Sequence, residues 1–271
     1  MTKADLGVAL VTGASKGIGL ATAKALQNKG FRVFGTSRRA VAESHDGVTM
    51  LTCDVTDDAS VAKLVDEVLA KAGRIDPLVN NAGIGMFGGA EESSAAQVQA
   101  LFDVNLFGVI RVINKVLPSM RERGSGHIIN ISSILGVIPA PYSAHYSASK
   151  HALEGYSESL DHETRAFNVR VSLIEPAYTR SAFDQNAIEP DSTLREYDQI
   201  RADVKAFTEK VMATADLPEI VGDVIVRAAT DAKPRRRYTA GKVARQIGML
   251  RRFAPAKMFD KLLRKELRLP A

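Results

Sequence analysis

Tyr146 and Lys150 stand four residues apart at the start of a long amphipathic run, so a helix carries both on one face. An ammonium held beside a phenol favours the phenolate and draws its pKa down from a reference of roughly 10. Such a pair could give a proton to a substrate oxygen, or take one away, near neutral pH. Ser132-Ser133 lies upstream at the end of an apolar run. Near the N-terminus, Gly13-Ala14-Ser15-Lys16-Gly17-Ile18-Gly19 follows the apolar run Val8 to Thr12 and precedes a helical pattern. Strand, glycine turn and helix is the setting in which such a turn binds phosphate, because small residues admit a pyrophosphate and the helix start offers free N–H groups. The spacing is Gly-x-x-x-Gly-x-Gly rather than Gly-x-Gly-x-x-Gly, so taken alone the turn fits a nucleotide or a plain tight bend equally well.

The elements that must position these residues alternate. Apolar runs of strand length occupy Val8–Thr12, Arg32–Thr36, Val48–Cys53, Ile75–Val79, His127–Ile131 and Val169–Ile174, with a last one within Arg235–Gly241. Between them lie helical patterns at 20–28, 60–72, 95–123, 146–167 and 217–229, the third carrying Asn105 in its middle. Strands alternating with helices predict an α/β fold, a doubly wound, mostly parallel Rossmann-type sheet of about seven strands in three αβα layers. Ligands in such sheets lie beyond the carboxyl ends of the strands. Gly13, Ser37, Asp54, Asn80 and Ser133 all follow strand ends, so one cleft could collect them. An asparagine inside an apolar helix needs a partner, which marks Asn105.

The second strand ends in Ser37-Arg38-Arg39, where an NAD-preferring site usually carries an acid for the ribose 2′-hydroxyl. Two guanidiniums, with Lys16 nearby, suit a 2′-phosphate instead, so the expected cofactor is NADP(H).

In unbroken order from about residue 8 to 183, the chain resembles the short-chain dehydrogenase/reductase family. The residues that carry the resemblance are Thr12 to Gly19, Asp54-Val55, Asn80-Asn81-Ala82-Gly83, Asn105, Ile131-Ser132-Ser133 and Tyr146-x-x-x-Lys150. The resemblance implies a catalytic set of Asn105, Ser133, Tyr146 and Lys150. Ser132 is the alternative serine, turned to the other side by strand alternation. It further implies that Lys150 binds the nicotinamide ribose, that Asn105 reaches Lys150 through water, and that Asp54 contacts adenine. The implied cofactor contacts are Gly13, Ser15, Lys16, Gly17, Ile18, Gly19, Ser37, Arg38, Arg39, Asp54, Val55, Asn81, Ala82, Gly83, Tyr146, Lys150, Pro176, Thr179 and Ser181. The family usually has Pro-Gly where this chain has Pro176-Ala177, which shifts the nicotinamide-amide contact toward the Thr179 backbone and the Ser181 hydroxyl.

Residues 181–218 are expected to form a substrate lid within the single domain of residues 1–271. Tyr142, His145, Tyr178 and Phe183 fall where the pocket wall should be, with His145 as wall rather than acid or base. An apolar or aromatic substrate follows, in the manner of hydroxysteroid and retinol dehydrogenases. The expected reaction interconverts a carbonyl and a secondary alcohol. The alternatives are a 3-oxoacyl-thioester reductase and a non-catalytic NADP(H)-binding regulatory protein.

Composition fits that reading. Apolar content is 45% and charged content 25% in 271 residues, ordinary globular values. A single cysteine, Cys53, excludes an internal disulfide, and the N-terminal residues show no apolar stretch of signal length, so a cytoplasmic protein is expected. No nucleic-acid motif is found, and no metal-ligand set is assigned. From Lys233 onward thirteen Lys or Arg face only Asp260 and Glu266, which leaves the preceding body net negative. Residues 242–271 form a basic amphipathic extension with Ile247, Leu250, Phe253, Met258, Phe259, Leu262, Leu263, Leu267 and Leu269 among the cations. Packing on the body or a partner subunit, or bordering the substrate cleft as a lid, is expected of it ahead of peripheral contact with an anionic membrane. A homodimer or homotetramer is the family expectation.

Overall fold

The first strand, β1 (Val8–Val11), is buried on both faces, and that explains its unbroken run of apolar residues. The computed structural model describes residues 6–39, 44–45, 47–181, 183 and 187–266; Leu267 and Leu269 of the basic extension lie outside them. Around β1 run β2 (Arg32–Ser37), β4 (Val48–Thr52), β5 (Pro77–Asn80), β6 (Gly126–Ile131), β7 (Val169–Pro176) and β8 (Arg237–Ala240), all in parallel. The expected seven-stranded parallel sheet is therefore present. It gains one short antiparallel edge, β3 (Ser44–His45), against β4. The order is β3-β4-β2-β1-β5-β6-β7-β8. It reverses between β1 and β5, and there a crevice opens beyond the strand ends.

Strand alternation divides the core. Leu10, Leu78, Ile128 and Val171 face α2 (Asp58–Ala72), α4 (Gly108–Arg123) and α5 (Ala144–Thr164). Ala9, Val11, Val79 and Ile129 face α1 (Gly17–Lys29) and α7 (Pro218–Thr230). Each fully buried Leu or Ile side chain contributes roughly 1.5–3 kcal/mol by leaving water. The two layers of helix therefore fix the strand ends that present the site. Gly222 of α7 lets the two helices approach: a Cβ there would sit 3.2 Å from the Ala21 carbonyl of α1.

The single helix expected over 95–123 is interrupted. After α3 (Ala95–Phe102) comes a π turn at Asp103–Phe107, and α4 begins only at Gly108. The wider turn accommodates one more residue than an α-helix would, and such turns recur where a side chain must be re-aimed. Beyond the core lie α6 (Asp198–Met212), α8 (Lys242–Phe253) and α9 (Ala256–Glu266).

Candidate active site

The glycine turn sits on the crevice. Gly13 and Gly17 adopt φ of +65° and +56°, a region that L-residues with a Cβ avoid. A Cβ on Gly19 would lie 2.2 Å from the Gly13 carbonyl oxygen, so only glycine lets α1 start so close to β1. The turn is held from below. Thr12 Oγ1 accepts from the backbone N–H of Asn81 and Ala82, both at 3.0 Å, and Asn81 Nδ2 donates to the carbonyls of Thr12 and Gly13 at 2.9 and 3.0 Å. The side chain of Asn81 thus pins the glycine turn. Its neighbour Asn80 donates to Asn130 at 2.8 Å, and Asn130 donates to Ser157 of α5 at 2.9 Å. These amides are scaffolding, and the backbone of Ala82 and Gly83 forms the ledge above.

The residues at the far end of the crevice come together as well. Arg38 and Arg39 are exposed at the end of β2, and Ser37 Oγ accepts from the Arg39 N–H at 3.3 Å. Lys16 is exposed at the N-terminus of α1, with Ser15 and Ile18 half-buried beside it. Asp54 Oδ1 accepts from the N–H and hydroxyl of Thr56 at 2.9 and 2.7 Å. Those bonds, aided by the charges of Arg38 and Arg111, hold its carboxyl below the ordinary range. Val55 is buried against Gly108.

Lys150 is 5% exposed and donates to the Ile131 carbonyl at 2.9 Å. Its Nζ lies 5.7 Å from the centre of the Tyr146 ring. Burial pushes its pKa down to about 8, while Glu154 one turn on pulls it up. A lysine in that range can exchange protons at neutral pH. A Cβ on Gly83 would lie 3.3 Å from Asn105 Oδ1 and 3.8 Å from Lys150 Nζ, which brings the ledge, the π turn and the lysine into one small space. Asn105 itself is tied to the backbone of Ile84, accepting from its N–H at 2.9 Å and donating to its carbonyl at 3.0 Å. It also donates to Ser149 Oγ at 3.2 Å.

The two serines after β6 separate as strand alternation requires. Ser133 is half-buried and its Oγ accepts from the Leu135 N–H at 3.1 Å. Ser132 is buried and turned toward Glu154: a Cβ on Gly136 would touch both. Glu154 was not apparent as a site neighbour, although its spacing of four from Lys150 could have shown it. Arg237 of β8 binds Glu154 at 2.9 Å, Glu175 at 3.2 Å and Glu158 at 3.4 Å. Burial first, then the Glu154 charge, raises Glu175 to about 7.

Pro176 is buried at the end of β7, and Thr179 Oγ1 donates to the Ala177 carbonyl at 3.2 Å. Ser181 Oγ accepts from the Phe183 N–H at 3.3 Å, and a Cβ on Gly17 would stand 3.2 Å from the Ser181 Cβ. The loop after β7 therefore faces the start of α1 across the crevice.

An apolar wall surrounds the phenol. Phe183 and Phe87 lie 5.8 and 6.0 Å from the Tyr146 ring, and Met86, Leu101 and Ile188 complete the cluster. Tyr142, with φ +59°, makes an edge contact with Tyr197 at 6.1 Å. Tyr178 is 41% exposed. His145 Nε2 bonds the Ala90 carbonyl at 2.9 Å, so it anchors a loop. The segment from Ile188 to Arg201 is strapped over this wall by Glu92. Glu92 is fully buried, accepts from the N–H groups of Gly89 and Leu194 at 2.8 Å each, and pairs with Arg201. No motif pointed to this clamp, because its partners are 109 residues apart in sequence.

A family model described as short chain dehydrogenase matches residues 7–192. The chain belongs to that family. The short-chain dehydrogenase is 44% identical over 179 residues to a 3-ketodihydrosphingosine reductase of Bacteroides thetaiotaomicron, a match covering 66% of this chain and 66% of that one. Among solved structures, a short-chain dehydrogenase from Streptomyces avermitilis matches with a TM-score of 0.80 and 33% identity over 97% of this chain and 94% of that one. A metagenomic short-chain oxidoreductase in complex with NADP matches with a TM-score of 0.68 and 31% identity over 89% of this chain and all of that one. This short-chain dehydrogenase is accordingly an NAD(P)-dependent oxidoreductase acting on CH–OH groups. Among the described residues, no helix is long and apolar enough to cross a membrane.

Proposed function

We propose that this enzyme uses NADP(H) to interconvert an apolar ketone and its secondary alcohol, with Tyr146 as the proton donor and acceptor. The observation that carries the reading is the buried Lys150 amine, held by the Ile131 carbonyl 5.7 Å from the Tyr146 ring centre. The glycine cradle fits a pyrophosphate, since a Cβ at Gly19 would occupy the place where α1 meets the turn. Gly13, Ser15, Gly17, Ile18 and Gly19 would hold the cofactor phosphates, with Ala82 and Gly83 beneath. Asp54 and Val55 would border adenine. Pro176, Thr179 and Ser181 would face the nicotinamide end. Bound there, the cofactor supplies or accepts the hydride.

The remaining chemistry belongs to the chain. The positive charge of Lys150 stabilises phenolate at Tyr146, so the hydroxyl releases its proton to a substrate oxygen in reduction and recovers it in oxidation. Ser133 Oγ donates to the same oxygen and orients it. Asn105 is a positioning residue that keeps Ile84 and Ser149 in place around Lys150. Phe87, Phe183 and Met86 exclude water around the phenol and favour an apolar substrate. The sequence similarity to a 3-ketodihydrosphingosine reductase supports reduction of a keto group.

Arg38 and Arg39, exposed at the end of β2 with Arg38 acting on Asp54, together with the exposed Lys16, support the 2′-phosphate. Turnover of a panel of long-chain, steroidal and aromatic ketones with NADPH tests the assignment. Tyr146→Phe is expected to lose about a thousandfold or more in kcat, the scale of a general acid, while NADPH still binds. Undiminished turnover in that variant would remove Tyr146 from the chemistry. Arg38→Ala is expected to raise the KM for NADPH about tenfold or more and leave that for NADH nearly unchanged, in line with one lost charge-assisted bond. Equal changes for both cofactors would dismiss the 2′-phosphate assignment.

A further inference from the structure

The C-terminal helices α8 and α9 form a hairpin with two unlike faces. On one face Phe259, 8% exposed, packs with Ile134 and Ile138, joined by Ile247, Leu250 and Leu263. This satisfies the expectation that the extension packs on its own body, but it uses only half of the apolar side chains. The other half point to solvent: Met249 is 58% exposed, Phe253 74%, Met258 46% and Leu262 42%. Met249 and Phe253 are one helical turn apart, as are Met258 and Leu262, so each helix presents a stripe and not a scatter. Phe253 and Met258 flank the turn at Ala254-Pro255.

Cations border both stripes. Arg245 and Arg252 lie on α8, and Lys257, Lys261 and Lys265 on α9, all exposed. The Arg252 guanidinium sits 5.6 Å from the centre of the Phe253 ring. Helix α8 contains no acid at all. A neutral apolar groove on a partner protein would leave these cations without a counterpart. A two-fold contact with a second copy would set them against themselves. An anionic lipid surface answers both features, with headgroup phosphates for the cations and the acyl boundary for the large apolar side chains.

We propose that the exposed face of the α8–α9 hairpin docks on the surface of an anionic membrane, with Met249, Phe253, Met258 and Leu262 inserted at the headgroup–acyl boundary. The hairpin lies on the surface and does not span it. Phe259, Leu250 and Leu263 stay on the protein and hold the hairpin in place. The proposal is independent of the catalytic reading and needs no substrate for its test.

The test is flotation of the full-length protein with phosphatidylcholine vesicles and with vesicles that also contain phosphatidylglycerol. Binding to the anionic vesicles is expected to exceed binding to the neutral ones by about tenfold or more and to fall with added salt. Met249→Ser with Phe253→Ser should lower the anionic partition by about tenfold, the effect of removing two large apolar anchors. Arg252→Glu with Lys261→Glu should do the same. Neither pair touches the site, so the melting temperature and NADPH binding report that each variant is folded. Binding that ignores lipid charge, or is absent on both vesicles, overturns the proposal. So does an oligomer that the serine variant dissolves while wild type ignores vesicles, because the face is then a contact between copies of this chain.

Discussion

Replacing Lys150 by methionine separates the energetic burden of the buried amine from its chemical use. Its pKa falls from the ordinary 10.5 to about 8 because burial disfavours the charged form. The group is 5% exposed, so solvent does little to screen that effect. A depressed lysine costs stability wherever the unfolded chain would hold the proton, in full below the folded pKa and fading to nothing at the unfolded one. The unfolded chain binds more protons between the two values, so stability rises with pH across that window. At about 1.4 kcal/mol per pKa unit, the lowered pKa reduces stability by about 3 kcal/mol at pH 7 and by about 1.4 kcal/mol at pH 9.5. Methionine has similar length and no charge, and its main loss is the bond to the Ile131 carbonyl, which is the same at both pH values. The stability of Lys150→Met relative to wild type should therefore drop by about 2 kcal/mol as pH rises from 7 to 9.5. Urea unfolding of both ligand-free proteins across that range measures it, and the variant should turn over no ketone at any pH. A difference in stability that does not vary with pH would show that burial does not lower the Lys150 pKa, and the reasoning from its enclosure to a depressed amine would be refuted.

Two further outcomes follow from contacts described above. Gly19→Ala places a methyl 2.2 Å from the Gly13 carbonyl oxygen, so it should destabilise the fold by about 1–3 kcal/mol and weaken NADPH binding in a fluorescence titration. Unaltered binding would mean that the turn is not the phosphate cradle. Glu92→Gln removes the buried charge from the Arg201 clamp, at about 3–5 kcal/mol when one partner of such a pair is lost. Limited proteolysis should then cut within 188–201 sooner, and the ketone KM should rise more than kcat falls; an unchanged cleavage pattern would show that the strap is held by other contacts.

What could be read from the chain depended on how local the cause was. Tyr146, Lys150 and the glycine turn owe their arrangement to spacing within one helix or one bend, and both were legible. The parallel sheet was legible because strands buried on both faces need continuous apolar runs, as in Val8–Val11. The edge strand Ser44–His45 was not, since two residues carry no periodicity. The π turn was hidden for a related reason: the apolar pattern runs on past Asn105 in either geometry. Asn80 and Asn81 were legible as a pair after a strand, but the bonds of Asn81 to the glycine turn and of Asn80 to Asn130 are settled only when segments distant in sequence meet. The clamp of Glu92 on Arg201 and the bridging of Glu154 and Glu175 by Arg237 are settled only when distant segments meet.

The turn at Asp103–Phe107 also determines which kind of genetic change this enzyme tolerates least. Each residue of a helix advances the chain by about 100° around the axis. Removing a single residue there would regularise the winding and improve the helix as a helix. It would also swing Asn105 away from Ile84 and Ser149, or else rotate the whole buried stripe of Val109, Val112, Val116 and Met120 off the core. No point substitution imposes that choice. Homologous chains of this architecture should vary freely in side chains on the outer surface of that helix while keeping its residue count between Ser94 and Gly124 constant.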